Sequence, residues 1–291
     1  MIPGPGFSII QSVLHPTDFS EGSLVAFNHA LKAALSAKAE LTLLHVSTDT
    51  DLKWSDFPGV RQTLERWGAL PPGSQKSAVA ELGINARKIV AKESDPVDAV
   101  IDYLEHHPTD LIVLSTSQRD GRIPWLGKSV ASPVTLKAGE MTLLIPGDVE
   151  GFVSAKDGSA SLKKILIPIA RTPRPEPALK AAARFISKFP TADGTGTFMI
   201  LHVGTPNTMP AVKYPEVNGW TWQKEIRTGE TIDTIVKTAK EFEADLIVMA
   251  TDGRNGFLDG LRGSHSERIL RYGAAPLLTI PIGSRISRHL I

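Results

Sequence analysis

The chain has 291 residues, 42% of them hydrophobic and 22% charged, enough for two domains that each bury a core. Its 32 basic and 31 acidic residues leave a net charge of +1, too weak a field to predict a nucleic-acid partner. With no cysteine, no apolar run of the ~18 residues a membrane span needs and no charged, signal-like N-terminus, disulfides, thiolate chemistry and membrane insertion are excluded, and a cytoplasmic protein is expected.

In chain order, short apolar runs near 9–15 and 41–46 read as buried parallel strands. Between them Leu24, Phe27, Ala30, Leu31 and Ala34 fall on one helical face. The stretch 47–84 holds two helical segments, Val60–Trp67 and Gln75–Leu82. Strands are predicted near 86–91, 110–115 and 141–146, with Val97, Val100, Ile101 and Leu104 on a helix between the first two. Residues 148–162 are rich in Gly, Ser and Asp and read as a linker between domains at 1–147 and 163–291. A second series follows: strands near 163–169, 197–203, 225–228, 245–250 and 277–281, and helices near 175–188, 230–242 and 264–272. Such alternation predicts an α/β fold in which each domain is a doubly wound parallel sheet.

The two series are copies. Asp-Leu-Ile-Val at 110–113 recurs at 245–248, an offset of 135 that also carries Ile145-Pro146 onto Ile280-Pro281. Leu-His-Val at 44–46 recurs at 201–203, offset by 157, and Val13-Leu-His-Pro16 aligns with Ile165-Leu-Ile-Pro168, offset by 152. Between the second and third matches the later copy is 22 residues shorter. There it reads Gly204–Lys224, with three Pro and two Trp, a composition poor for helix and predicted to form a loop. Trp220 and Trp222 are placed in that loop, where they cover the core or, as the alternative, rim a pocket.

Ligands of open parallel sheets sit beyond the carboxyl ends of the strands, where strand order reverses. The loop after the fourth strand of the second copy carries Gly253, Gly256, Gly260 and Gly263, which let backbone approach a ligand closely. Ser264 then opens a helix, whose free N–H groups favour an anion, and Arg254 and Arg262 can pair with phosphate. A capping role for Ser264 is compatible with this.

The spacing Ala250-x2-Gly253-x9-Gly263-Ser264 resembles the Gly-x2-Gly-x9-Gly-Ser/Thr loop of ATP-binding universal stress proteins, with Ala for the first Gly. Val13-Leu-His-Pro-Thr-Asp-Phe-Ser20, both Leu-His-Val runs, both Asp-Leu-Ile-Val strands and the Ile-Pro strand ends are similar to that family too, once per half. The resemblance implies two Rossmann-like domains of the adenine nucleotide alpha hydrolase type, forming a pseudo-dimer through their last strands, as a monomer or homodimer of the whole chain. It also implies an adenine nucleotide (ATP, ADP or AMP), with or without Mg²⁺. The residues it points to are Val203, Met249, Ala250, Gly253, Arg254, Gly263, Ser264, His265 and Ser266. In the first half only Asp18, at the position of the family's adenosine-contacting acid, and Ser129 remain as weaker candidates. Ser115, Gln118 and Lys128 replace the three glycines there, and Ala170 replaces the acid in the second half. The second half is therefore the expected site.

Other readings stand beside these. Asp18 also suits a turn or cap ahead of Ser20, and His45 and His202 suit hydrogen bonds at strand ends better than chemistry. His15 lies on the strand expected to neighbour that of His45, but no His-x3-His spacing supports a metal. His106-His107 reads as a helix terminus. No Gly-x4-Gly-Lys-Ser/Thr loop and no Gly-x-Ser-x-Gly elbow is present, so neither a P-loop ATPase nor an α/β-hydrolase is expected. Asp252 and Asp259 are candidates for Mg²⁺ contact or slow hydrolysis, with nothing to single them out. No catalytic residue is assigned. The expected role is a nucleotide-responsive stress protein with an unknown protein partner. The alternatives are a scaffold without nucleotide, or a carrier of a lipid or metabolite against Trp54, Phe57 and Trp67.

Overall fold

A computed structural model describes residues 10–48, 53–93, 95–116, 140–147, 149–189, 191, 193–251, 269 and 275–284. The first half runs β1 (Ser12–Pro16), α1 (Glu21–Ala37), β2 (Glu40–Val46), α2 (Val60–Arg66), α3 (Ser77–Glu81), β3 (Asn85–Ala91), α4 (Pro96–His106), β4 (Leu111–Thr116) and β5 (Met141–Pro146). The second runs β6 (Lys164–Pro168), α5 (Glu176–Ile186), β7 (Gly196–Val203), β8 (Trp220–Arg227), α6 (Thr231–Phe242), β9 (Leu246–Thr251) and β10 (Leu277–Pro281). No helix among the described residues is long and apolar enough to cross a membrane.

The strands form one ten-stranded sheet in the order β3-β2-β1-β4-β5-β10-β9-β6-β7-β8. The pairings between these strands within a half are parallel, and β5 pairs with β10 antiparallel, with Leu143 opposite Leu278 and Thr142 opposite Thr279. The expected pseudo-dimer through the last strands is thus a continuous sheet. All six residues of β4 and of β5 are buried, as strands covered on both faces require.

Side-chain alternation sorts the core into two layers. Phe27 and Leu31 of α1 share one cluster with Leu179 and Phe185 of α5. Val100 and Ile101 of α4 share the other with Ile232 and Ile235 of α6. Equivalent helices lie on the same face while equivalent strands run antiparallel across β5–β10. The two halves are therefore related by a two-fold axis perpendicular to the sheet, and their carboxyl edges open in opposite directions.

The repeated Asp has a structural cause. Asp110 Oδ2 accepts from the amides of Gln11 and Ser12 at 2.8 and 3.1 Å. Asp245 Oδ2 accepts from those of Lys163 and Lys164, both at 2.8 Å. In each half the fourth strand's leading carboxylate fixes the entry of the first strand by accepting from two backbone amides that have no ladder partner of their own among the described residues.

The segment between the halves is anchored. Phe152 and Leu162 are fully buried. The Phe152 ring lies edge-on to His29 of α1 at 4.6 Å and to Phe189, just beyond α5, at 5.3 Å. Gly151 has φ +68°, and a Cβ there would overlap the His29 imidazole.

One element differs from expectation. The last strand before α6 begins at Trp220, so Trp220 and Trp222 lie on β8 and not in a loop. Trp222 stacks on Phe198 of β7 at 4.2 Å, and the Trp220 ring meets the same Phe198 tilted by 36° at 4.6 Å. Alternate aromatic residues suit the pleated edge of a sheet, and this outweighs the prolines upstream. The covering role expected of both tryptophans holds. Phe57 and Trp67 likewise pack into the core with α1.

Candidate functional site

Strand order reverses between β1 and β4 in the first half and between β6 and β9 in the second. At the second switch point the carboxyl ends of β6, β7 and β9 and the start of α6 enclose a cleft of about 170 Å³. Pro168, Ile169 and Ala170 form the side after β6, Leu201 and Val203 the side of β7, and Met249 and Ala250 that of β9. Thr231 and Ile235 of α6 close it from above, with Pro173 and Pro175 at the mouth. Small side chains at 170 and 250 keep it open. Thr231 is the one polar side chain in this lining. The α6 N-terminus is already capped, since the Glu230 carboxylate accepts from the amide of Asp233 at 2.8 Å.

Three residues singled out in the sequence, Val203, Met249 and Ala250, thus meet around one cleft. Gly253, Arg254, Gly263, Ser264, His265 and Ser266, with Asp252, Asp259 and Ser129, lie outside the described residues. Sequence reasoning missed Ile169, Thr231, Ile235 and the two prolines. Their signal was positional only: each directly follows or faces a strand end, and apolar residues there read as ordinary core.

The paired histidines organise the same strand ends. His45 Nδ1 donates to Thr17 O at 2.7 Å, and His202 Nδ1 donates to Ile169 O at 3.1 Å. Backbone bonds from Thr17 N to Leu44 O and from Ile169 N to Leu201 O, both 2.8 Å, complete each tie. These histidines shape the turn after the first strand. His15 is buried too; its Nδ1 bonds Val113 O at 2.9 Å, and burial pushes its pKa down to about 4. His106 ends α4 and bonds back to Asp102 O at 2.8 Å. Among the described residues no group of three His, Asp or Glu is placed to hold a metal.

The first half's switch point differs. Asp18 Oδ1 accepts from the backbone and hydroxyl of Ser20 at 3.0 and 2.6 Å, and Ser20 in turn caps α1 by accepting from Ser23 N. Phe19, at φ +63°, stacks on His45 at 4.1 Å and meets Phe57 edge-on. Gly22 of α1 sits so close to β4 that a Cβ would approach Ser115 Oγ to 2.7 Å. The acid belongs to the turn and the helix start presses on the end of β4.

The model of the universal stress protein family matches residues 10–146 and 221–281. No curated protein matches the chain. Among solved structures, a universal stress protein from Archaeoglobus fulgidus is 18% identical with a TM-score of 0.59, covering 94% of this chain and 98% of that one. A protein of unknown function from Pseudomonas aeruginosa is 15% identical with a TM-score of 0.54, covering 97% and 95%. The cytoplasmic domain of a prokaryotic cation chloride cotransporter is 13% identical with a TM-score of 0.53, covering 97% and 100%. At these identities the likeness concerns the fold.

Proposed function

Because the chain belongs to the universal stress protein family, we propose that its second half binds an adenine nucleotide, ATP or a relative, and that occupancy acts as a signal. The observation that carries this is the placement of the cleft. Val203, Met249 and Ala250 line it, and β9 leads from it directly into the Gly253–Gly263–Ser264 loop. A cleft of about 170 Å³ is smaller than the roughly 300–1,000 Å³ that encloses a whole drug-sized ligand. It suits a base-sized group, with the phosphates outside it along the glycine loop.

The two-fold arrangement puts the switch points on opposite edges of the sheet, which favours one site per half over a composite one. Asp18 therefore does not serve the second-half nucleotide. The apolar lining beside Ala170 grips the base by contact area, while the loop's backbone amides and Arg254 hold phosphate. No general base is assigned, and the role is that of a sensor.

The test is to denature the protein as purified and assay the supernatant for nucleotide by chromatography and mass spectrometry. The expected result is bound ATP, ADP or AMP that disappears in Gly263→Glu and persists in Ser129→Ala. If none co-purifies and none binds at millimolar concentration with Mg²⁺, the proposal is wrong. That outcome favours the second reading, a scaffold of the same fold. The absence of an acid at Ala170 supports that reading.

A further inference from the structure

The turn after the first strand reverses its charge between the halves. Residues 17–23 carry Asp18 and Glu21 and no cation; at the offset of 152, residues 169–175 carry Arg171 and Arg174 and no acid. Phe19 folds inward and stacks on His45 at 4.1 Å. Its counterpart Arg171 is exposed and reaches instead toward the loop after β7, where its Nη2 donates to Asn207 O at 2.9 Å. The remaining N–H groups of that guanidinium are left for a ligand.

Arg174 is exposed too and stands between Pro173 and Pro175, both of which line the second-half cleft at its mouth. Among the described residues neither guanidinium is ion-paired. Glu176, which opens α5, is the nearest acid along the chain. Glu230, beside the lining residue Thr231, is engaged by the amide of Asp233.

We propose that the second half takes an adenine nucleotide with an extra phosphate on a ribose hydroxyl, held by Arg171 and Arg174. The inference rests on the nucleotide reading above. The sheet order β9-β6-β7 sets the end of β6 between the strand that leads to the glycine loop and the strand that carries Val203. With the base beside Val203 and the 5′-phosphates on the loop after β9, the ribose lies over Ala170 and the turn that follows it. An acid there accepts from free ribose hydroxyls and repels a phosphate; an arginine does the reverse, the exchange by which Rossmann folds tell a ribose hydroxyl from a ribose phosphate. Guanidinium forks match phosphate oxygens two at a time, so a pair of them at the rim of an otherwise apolar cleft selects that group.

The experiment is calorimetric titration of the whole protein with AMP, ADP and the two adenosine bisphosphates that carry their second phosphate on the 2′ or the 3′ hydroxyl. ADP matches the bisphosphates in phosphate count but extends at the 5′ end. At least one bisphosphate is expected to bind about tenfold or more tightly than AMP and ADP, the scale of a charge-assisted contact. That margin should shrink as salt rises. Arg171→Gln combined with Arg174→Gln should remove it, whereas Lys237→Gln, which takes a cation from α6 outside the cleft lining, should keep it. Ala170→Asp should reverse the order in favour of AMP. Unchanged melting temperatures establish that the variants fold. If AMP binds but ADP equals both bisphosphates, or if the margin survives in the double Gln variant, the inference is overturned while nucleotide binding stands. If no adenine nucleotide binds, both fall together.

Discussion

His29 Nε2, on α1, accepts hydrogen bonds from the backbone amides of both Phe152 and Val153 at 3.0 and 3.2 Å, and its Nδ1 donates to Val25 O at 2.8 Å. A neutral imidazole with its proton on Nδ1 is the only form that satisfies all three. Helix α1 of one half thereby holds the segment that leads into the other.

This fixes the sign of a pH dependence. Burial pushes the pKa values of His29 and His15 from 6.5 down to about 4. Between pH ~6.5 and ~4 the unfolded chain takes up protons that the folded chain refuses, so stability rises with pH across that window. It is full above the unfolded value and is lost on acidification, by roughly 3 kcal/mol per histidine. Urea unfolding at pH 7, 5.5 and 4.5 should show the fall, and His29→Ala should flatten it. Asp157 and Asp193 are held below the ordinary carboxylate value, so their contribution is lost at lower pH, outside this window. An unchanged slope in His29→Ala would rule out this assignment.

Phe152 fills the seam between α1 and the end of α5, with Phe185 at 6.2 Å and Phe189 at 5.3 Å. Phe152→Ala should cost about 3–5 kcal/mol by leaving a cavity there. Thermal melting of that variant should drop clearly, whereas truncation of the exposed Leu24 should stay within ~0.5 kcal/mol.

Asp245→Ala removes the acceptor of two amides at the entry to β6, and Asp110→Ala removes the acceptor of two at the entry to β1. Each should destabilise by about 1–3 kcal/mol. Hydrogen exchange should locate the weakened protection at residues 163–164 in one variant and 11–12 in the other. Equal loosening of both strands by either change would contradict the local role.

Val203→Trp should fill the cleft between Met249 and Leu201. Nucleotide affinity should fall at least tenfold, about 1.4 kcal/mol. The equivalent Val46→Trp in the first half should leave affinity unchanged. Calorimetric titration with ATP and Mg²⁺ compares the two, and a loss confined to Val46→Trp moves the site to the first half.

The sequence by itself determined the duplication and the alternating elements, and it is the source of the proposal that a ligand sits in the second half. These are local properties: strand and helix periodicity, and a glycine spacing that survives in one copy. Even the Asp at 110 and 245 announced itself as a repeat, though its acceptor role across to the first strand needed the sheet. Tertiary structure decided what depends on contacts between distant residues. The antiparallel β5–β10 pairing sets the two switch points on opposite edges, because a two-fold axis perpendicular to the sheet reverses strand direction and preserves its faces. Packing against Phe198 made Trp220 and Trp222 part of an edge strand. The loss of 22 residues before β8 read in the sequence as a missing helix; only in three dimensions is it a groove beside α5, walled by residues 213–218, since an uncovered flank exists relative to the helix that would have been covered.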